Sequence, residues 1–80
     1  MAASDLLSLL RARPFIHFRI VTSDGTVYEV RHPELVMVGI ATAFVGYPDP
    51  KEPGAYERYD VVSIRHIVRL EPEPQPTNPE

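Results

Sequence analysis

Apolar and polar residues alternate from Phe15 to Val21 (Phe-Ile-His-Phe-Arg-Ile-Val) and again from Thr26 to Arg31 (Thr-Val-Tyr-Glu-Val-Arg). A period of two is that of a strand with one face buried. Ser23-Asp24-Gly25 lies between them, and Asp-Gly between two alternating runs signals a hairpin. Two registers compete. A two-residue Asp-Gly turn sets Ile20 opposite Glu29 and Phe18 opposite Arg31, which mixes charge into the apolar face. A three-residue loop, with Gly25 left-handed in a bulge, sets Ile20 opposite Tyr28 and Phe18 opposite Val30, and places Arg19 beside Glu29 on the other side. A slip of one residue exchanges the faces, so burial selects the second register. Ile16, Phe18, Ile20, Tyr28 and Val30 then share one interior wall.

Ahead of this hairpin, Leu6, Leu7, Leu9 and Leu10 follow Ser4-Asp5 and stop at Pro14. Ser4 suits an N-cap, Asp5 the positive helix start, and Arg11 and Arg13 its negative end. So short a helix is not stable alone and must lay its leucines on something as a lid. Beyond the hairpin, His32-Pro33-Glu34 ends the strand, because proline removes a ladder donor. Leu35–Gly39 and Thr42–Tyr47 read as a second tight hairpin through Ile40-Ala41, apolar on both faces as in a barrel centre or under the lid. Residues 47–54 form an exposed loop with three prolines and a glycine. Tyr56–Ile64 returns as a strand, Ser63–His66 makes a corner, and Ile67–Leu70 closes. One helix and five short strands at regular spacing predict a mainly-β fold, a small five-stranded barrel over residues 1–70 with a short N-terminal helix. Residues 71–80, EPEPQPTNPE, read as a Pro/Glu-rich disordered tail, with a proline-rich ligand as its alternative role.

The leading helix, the bent meander, the loop before the fourth strand and the corner at Ser63-Ile64-Arg65-His66 resemble the Sm-like and SH3-like small barrels in element order. The resemblance implies ring assembly by edge-strand pairing and RNA binding near the third and fifth loops. Two positions depart from that pattern. The third-loop Asp-x-x-x-Asn arrangement is replaced by Gly39-Ile40-Ala41-Thr42, and the fifth-loop Arg-Gly by the corner in which Arg65 alone is comparable. The stretch PFIHFRIVTSDGTVYEVRHPELV also looks like short uncharacterised bacterial proteins, a likeness that brings no activity with it.

Composition narrows the classes. A chain of 80 residues buries only about 60% of its unfolded surface, and chains of this size gain stability from disulfides, metals or self-association. No cysteine is present, which removes disulfides and thiolate ligands and makes self-association the first expectation. No apolar run approaches the roughly 20 residues that cross a bilayer, and the acidic start does not read as a secretory signal, so the expectation is a cytoplasmic protein without membrane contact. Net charge is −3, and with Glu71, Glu73 and Glu80 set aside the eight basic and eight acidic residues of 1–70 cancel. A neutral body has no general field for a phosphate backbone, although a local arginine cluster is compatible with it.

Chemical motifs are sparse. His17, His32 and His66 lack metal-ligand spacing, and the chosen register parts His17 from His32. Asp60, Ser63 and His66 are close in sequence but have no nucleophile elbow. Asp49, Glu52 and Glu57 belong to a loop unable to hold carboxylates at a working separation. No cofactor, metal or catalytic residue is expected. Tyr47, Tyr56, Arg58, Tyr59, Arg65 and Arg69 form the candidate contact set. Tyrosine with arginine serves protein interfaces and single-stranded nucleic acid alike, while strand-face ion pairs with Glu57, Asp60 and Glu71 are the plain alternative. The function expected is a non-enzymatic interaction module, a homo-oligomer joined through strand edges by Tyr56–Ile64 or its neighbour, with a further protein partner possible and an Sm-like RNA binder using Arg65 as the alternative.

Overall fold

The computed structural model describes residues 1–73. Helix α1 (Ala3–Arg11) leads to β1 (Phe18–Thr22) and β2 (Val27–Val30). A 3-10 turn (Pro33–Leu35) precedes β3 (Val36–Val38) and β4 (Thr42–Pro48). Strand β5 (Tyr56–Ser63) ends in a second 3-10 turn (Ile64–His66), and β6 (Ile67–Pro72) follows. The helix begins two residues earlier than its sequence suggests. Ala2 is the N-cap, and its N–H donates to the Asp5 carboxylate at 3.1 Å, so the acidic side chain rather than Ser4 satisfies the first turn.

The first hairpin has the register that burial selects. Phe18 faces Val30, Arg19 faces Glu29 and Ile20 faces Tyr28. Gly25, at φ 88°, supplies the left-handed residue of a three-residue loop closed by Gly25 N–H donating to Thr22 C=O at 3.0 Å. A side chain there would strain the backbone. The second hairpin turns at Ile40-Ala41, with Val38 facing Ala43.

The five-stranded Sm- or SH3-like barrel does not form. Six strands make two separate open sheets, ordered β2-β1-β6 and β3-β4-β5. A barrel would need a strand passing from β2 into β3, but Pro33 and the 3-10 turn interrupt the chain between them. The turn at Ile64–His66 likewise breaks β5 from β6, so the chain crosses to the other sheet instead of bending within one ladder. The core lies between the sheets: Phe18, Ile20, Val30, Val36, Ala43, Val45, Val62, Ile64 and Ile67 are buried together, and Leu6 and Leu10 of α1 cover them. The helix is thus a lid, as its leucines require. Strand β6 continues through Glu71 and Pro72, and Glu73 N–H donates to His17 C=O at 2.8 Å; the rest of the expected tail, residues 74–80, lies outside the described residues. No helix among the described residues is long and apolar enough to cross a membrane.

Candidate functional site

Alternation along β3, β4 and β5 sends Val36, Ala43, Val45 and Val62 into the core. Their neighbours in sequence must therefore face away from it. These are Met37, Phe44, Gly46 and Val61, and the register sets Met37 opposite Phe44, Phe44 opposite Val61 and Gly46 opposite Tyr59, which joins them on that face. The hairpin expected to be covered on both faces is covered on one. Met37 is 71% exposed, Tyr59 61% and Val61 58%. A single short helix can roof only one side of so small a fold.

At the far end of this face Tyr56 lies across Gly46. A Cβ on Gly46 would stand 3.2 Å from the Tyr56 ring, so the absence of a side chain lets the tyrosine lie flat on the sheet. The Tyr56 hydroxyl donates to Glu34 C=O at 2.9 Å and fixes the ring over the 3-10 turn. Phe44 and Tyr59 pack with ring centroids 5.6 Å apart. Together with Leu35 and Met37 they line an open groove of about 280 Å³.

Two of the candidate residues lie on the opposite side of the same strands. Tyr47 and Arg58 face each other, with the guanidinium 3.9 Å from the ring centroid. Arg58 reaches Asp60 at 3.3 Å, and the Tyr47 hydroxyl donates to Asp60 at 2.8 Å. Burial, and then the hydrogen bond to Asp60, push the Tyr47 hydroxyl above the ordinary phenol value. Burial and the nearby Asp60 charge do the same for Tyr28. This cluster is internally satisfied: the arginine stacks on an aromatic face and its charge is matched by a carboxylate.

The six candidates therefore do not form one site. Tyr56 and Tyr59 belong to the outer face, and Tyr47 and Arg58 to the inner end. Arg65 is exposed in the second 3-10 turn, and Arg69 on β6 pairs with Glu71. Met37, Val61 and Ile40, with the partly buried Phe44 among them, complete the apolar surface and lie outside the sequence-based set. Their signal was present in the alternation of Tyr59 with Val61 beside a hairpin apolar on both faces.

The remaining polar groups stay apart. Asp60 is occupied by Tyr47 and Arg58, and His66 Nδ1 faces Ser23 Oγ at 3.5 Å, so Asp60, Ser63 and His66 form no relay. His17 pairs with Glu73 at 3.4 Å. Among the described residues no three of His, Cys, Asp or Glu are grouped so as to hold a metal ion. No family model, curated protein or solved structure matches the chain, so what stands is a small mainly-β domain of two three-stranded sheets.

Proposed function

We propose that the protein is a non-enzymatic interaction module that self-associates along the free edge of β5. The observation that carries this reading is an eight-residue strand, Tyr56–Ser63, paired only with β4 among the described residues and flanked by a largely apolar face. A long edge strand offers a row of N–H and C=O groups to another strand. Natural proteins blunt such edges with charges, proline or bulges. In β5 the charges Glu57, Arg58 and Asp60 and the register shift all lie toward Tyr56, which leaves Val61–Ser63 as the unblunted length. Of the arginines that an RNA contact would use, Arg58 and Arg69 are matched by Asp60 and Glu71. That pairing offsets the charge a phosphate backbone needs and favours a protein contact.

Light scattering from micromolar to millimolar concentration tests the reading, combined with amide hydrogen exchange at both ends of the range. The expected result is a rising mass accompanied by slower exchange of the β5 amides that point away from β4. Equal exchange of those amides at both concentrations overturns edge pairing.

A further inference from the structure

We infer that the outer face of β3-β4-β5 packs against the same face of a second copy, related by a two-fold axis lying between the sheets and across the strands. The inference rests on the reading of the protein as a self-associating module, and it names a face where that reading names an edge.

The surface is complementary to itself from end to end. At one end the Gly39-Ile40-Ala41-Thr42 turn presents Ile40, 96% exposed. Two-residue hairpin turns are normally built from Asn, Asp and Gly, whose backbones suit the bend. Ile-Ala forgoes that chemistry and leaves a branched apolar knob at the tip. At the other end, Glu34, Leu35, Met37, Phe44, Tyr56 and Tyr59 line the groove, where Tyr56 lies over Gly46. Val61, opposite Phe44 on the neighbouring strand, extends the apolar strip beyond the groove. An axis across the strands reverses strand direction in the second copy, so each knob meets the other copy's groove and the two apolar strips stack between them. This is aligned sheet-on-sheet packing with an isologous interface.

Size and composition agree. The exposed parts of Met37, Tyr56, Tyr59, Val61 and Ile40 present on the order of 500 Å² of apolar surface, at the upper end for one patch on a monomer. That is the larger part of the roughly 800 Å² each partner gives to a stable pair, and the turn and groove rim supply more. Aromatics and methionine at the centre without charge is the composition of an interface core. The one charge at the groove, Glu34, falls at opposite ends of the pair in the two copies, so the like charges stay apart.

The test uses the full chain. Ile40→Asp changes a side chain that is already in solvent, so circular dichroism, and melting at a dilution where the parent is monomeric, stay as in the parent while self-association weakens at least tenfold. Because the chain contains no cysteine, an introduced pair reports geometry directly. Glu34→Cys with Ile40→Cys places two thiols at opposite ends of β3, about 10 Å or more apart at 3.3 Å per residue, beyond the roughly 7 Å a disulfide spans within one chain. Mild oxidation then yields a covalent dimer from the double variant much faster than from either single variant. Cross-linking of Ile40→Cys alone at the rate of the double variant overturns the arrangement, as does an unchanged mass for Ile40→Asp. An unchanged mass with protected β5 amides leaves the edge standing and removes the face. A lowered mass with freely exchanging β5 amides does the reverse, and a parent monomeric at every concentration removes both.

Discussion

The two sheets contribute to one core and differ on the sides turned away from it. On β2-β1-β6, Glu29, Arg19 and Glu71 form a row across three strands, with Arg19 3.8 Å from Glu29 and 4.0 Å from Glu71. Arg31 adjoins Glu29 at 3.6 Å, and Arg69 adjoins Glu71. The signs alternate across this row, while the row beside it is Val27, Val21 and Arg69. On β3-β4-β5 the corresponding side carries Met37, Phe44, Tyr59 and Val61. Backbone geometry cannot produce the contrast, since both sheets are three-stranded and antiparallel. It lies in the residues at alternate positions. The row of paired charges suits solvent, whereas the outer face of β3-β4-β5 leaves a larger apolar area exposed.

Perturbations of graded size sharpen the contrast. Phe18→Ala strikes the core both sheets share, where Phe18 is 2% exposed, and it should lower unfolding free energy by about 3–5 kcal/mol in urea titration. Val61→Lys strikes the apolar face. It should change stability by less than about 0.5 kcal/mol yet weaken self-association tenfold or more, read by light scattering. Equal loss of folding and assembly would show that this face belongs to the fold and not to a contact. Arg19→Met strikes the charged face and should cost about 0.2–1 kcal/mol, shrinking further in 1 M salt, because exposed pairs are screened. A salt-insensitive loss would mean that the aliphatic stem, not the charge, stabilises the sheet.

The smallest effect is expected at the turn of the first hairpin. The Thr22 hydroxyl, and then the Thr26 backbone N–H at 3.0 Å, hold the Asp24 carboxyl at about 2, below its ordinary 3.8. A carboxyl lowered on folding stabilises the fold fully above its unfolded value and loses that effect as pH falls through the folded one. Melting temperature should therefore decline between about pH 4 and pH 2 more steeply in the parent than in Asp24→Asn. Identical acid limbs would remove the role assigned to Thr22.

The first hairpin was legible because its determinants are local. Gly25, the charges at Arg19 and Glu29, and the apolar pairs Phe18–Val30 and Ile20–Tyr28 all lie within thirteen residues and agree on one register. The lid was legible from its leucines, although its cap moved to Ala2 because an acidic third position outweighs a serine cap. Closure was not legible. Whether β2 meets β3 depends on how the turn at Pro33 aims the chain, a matter of three-dimensional course and not of period. The outer face was misread for a related reason. Residues 35–47 are apolar on both sides of their strands, and sequence alone does not say how many layers exist to cover them. The contact residues scattered because sequence proximity gathered Tyr47, Tyr56, Arg58 and Tyr59 into one set, while alternation sends Tyr47 and Arg58 to one side of the sheet and Tyr59 to the other.

The interruption at Pro33 also decides what kind of joint connects the two sheets. No ladder runs from β2 to β3, so along that side the halves adhere mainly through oily contact, which has no preferred direction, with Tyr28 beside the Asp60 charge as the polar exception. Chilling weakens such adhesion while hydrogen-bonded ladders persist. Like two leaves of a book glued but unstitched along one margin, the molecule should part there first in the cold.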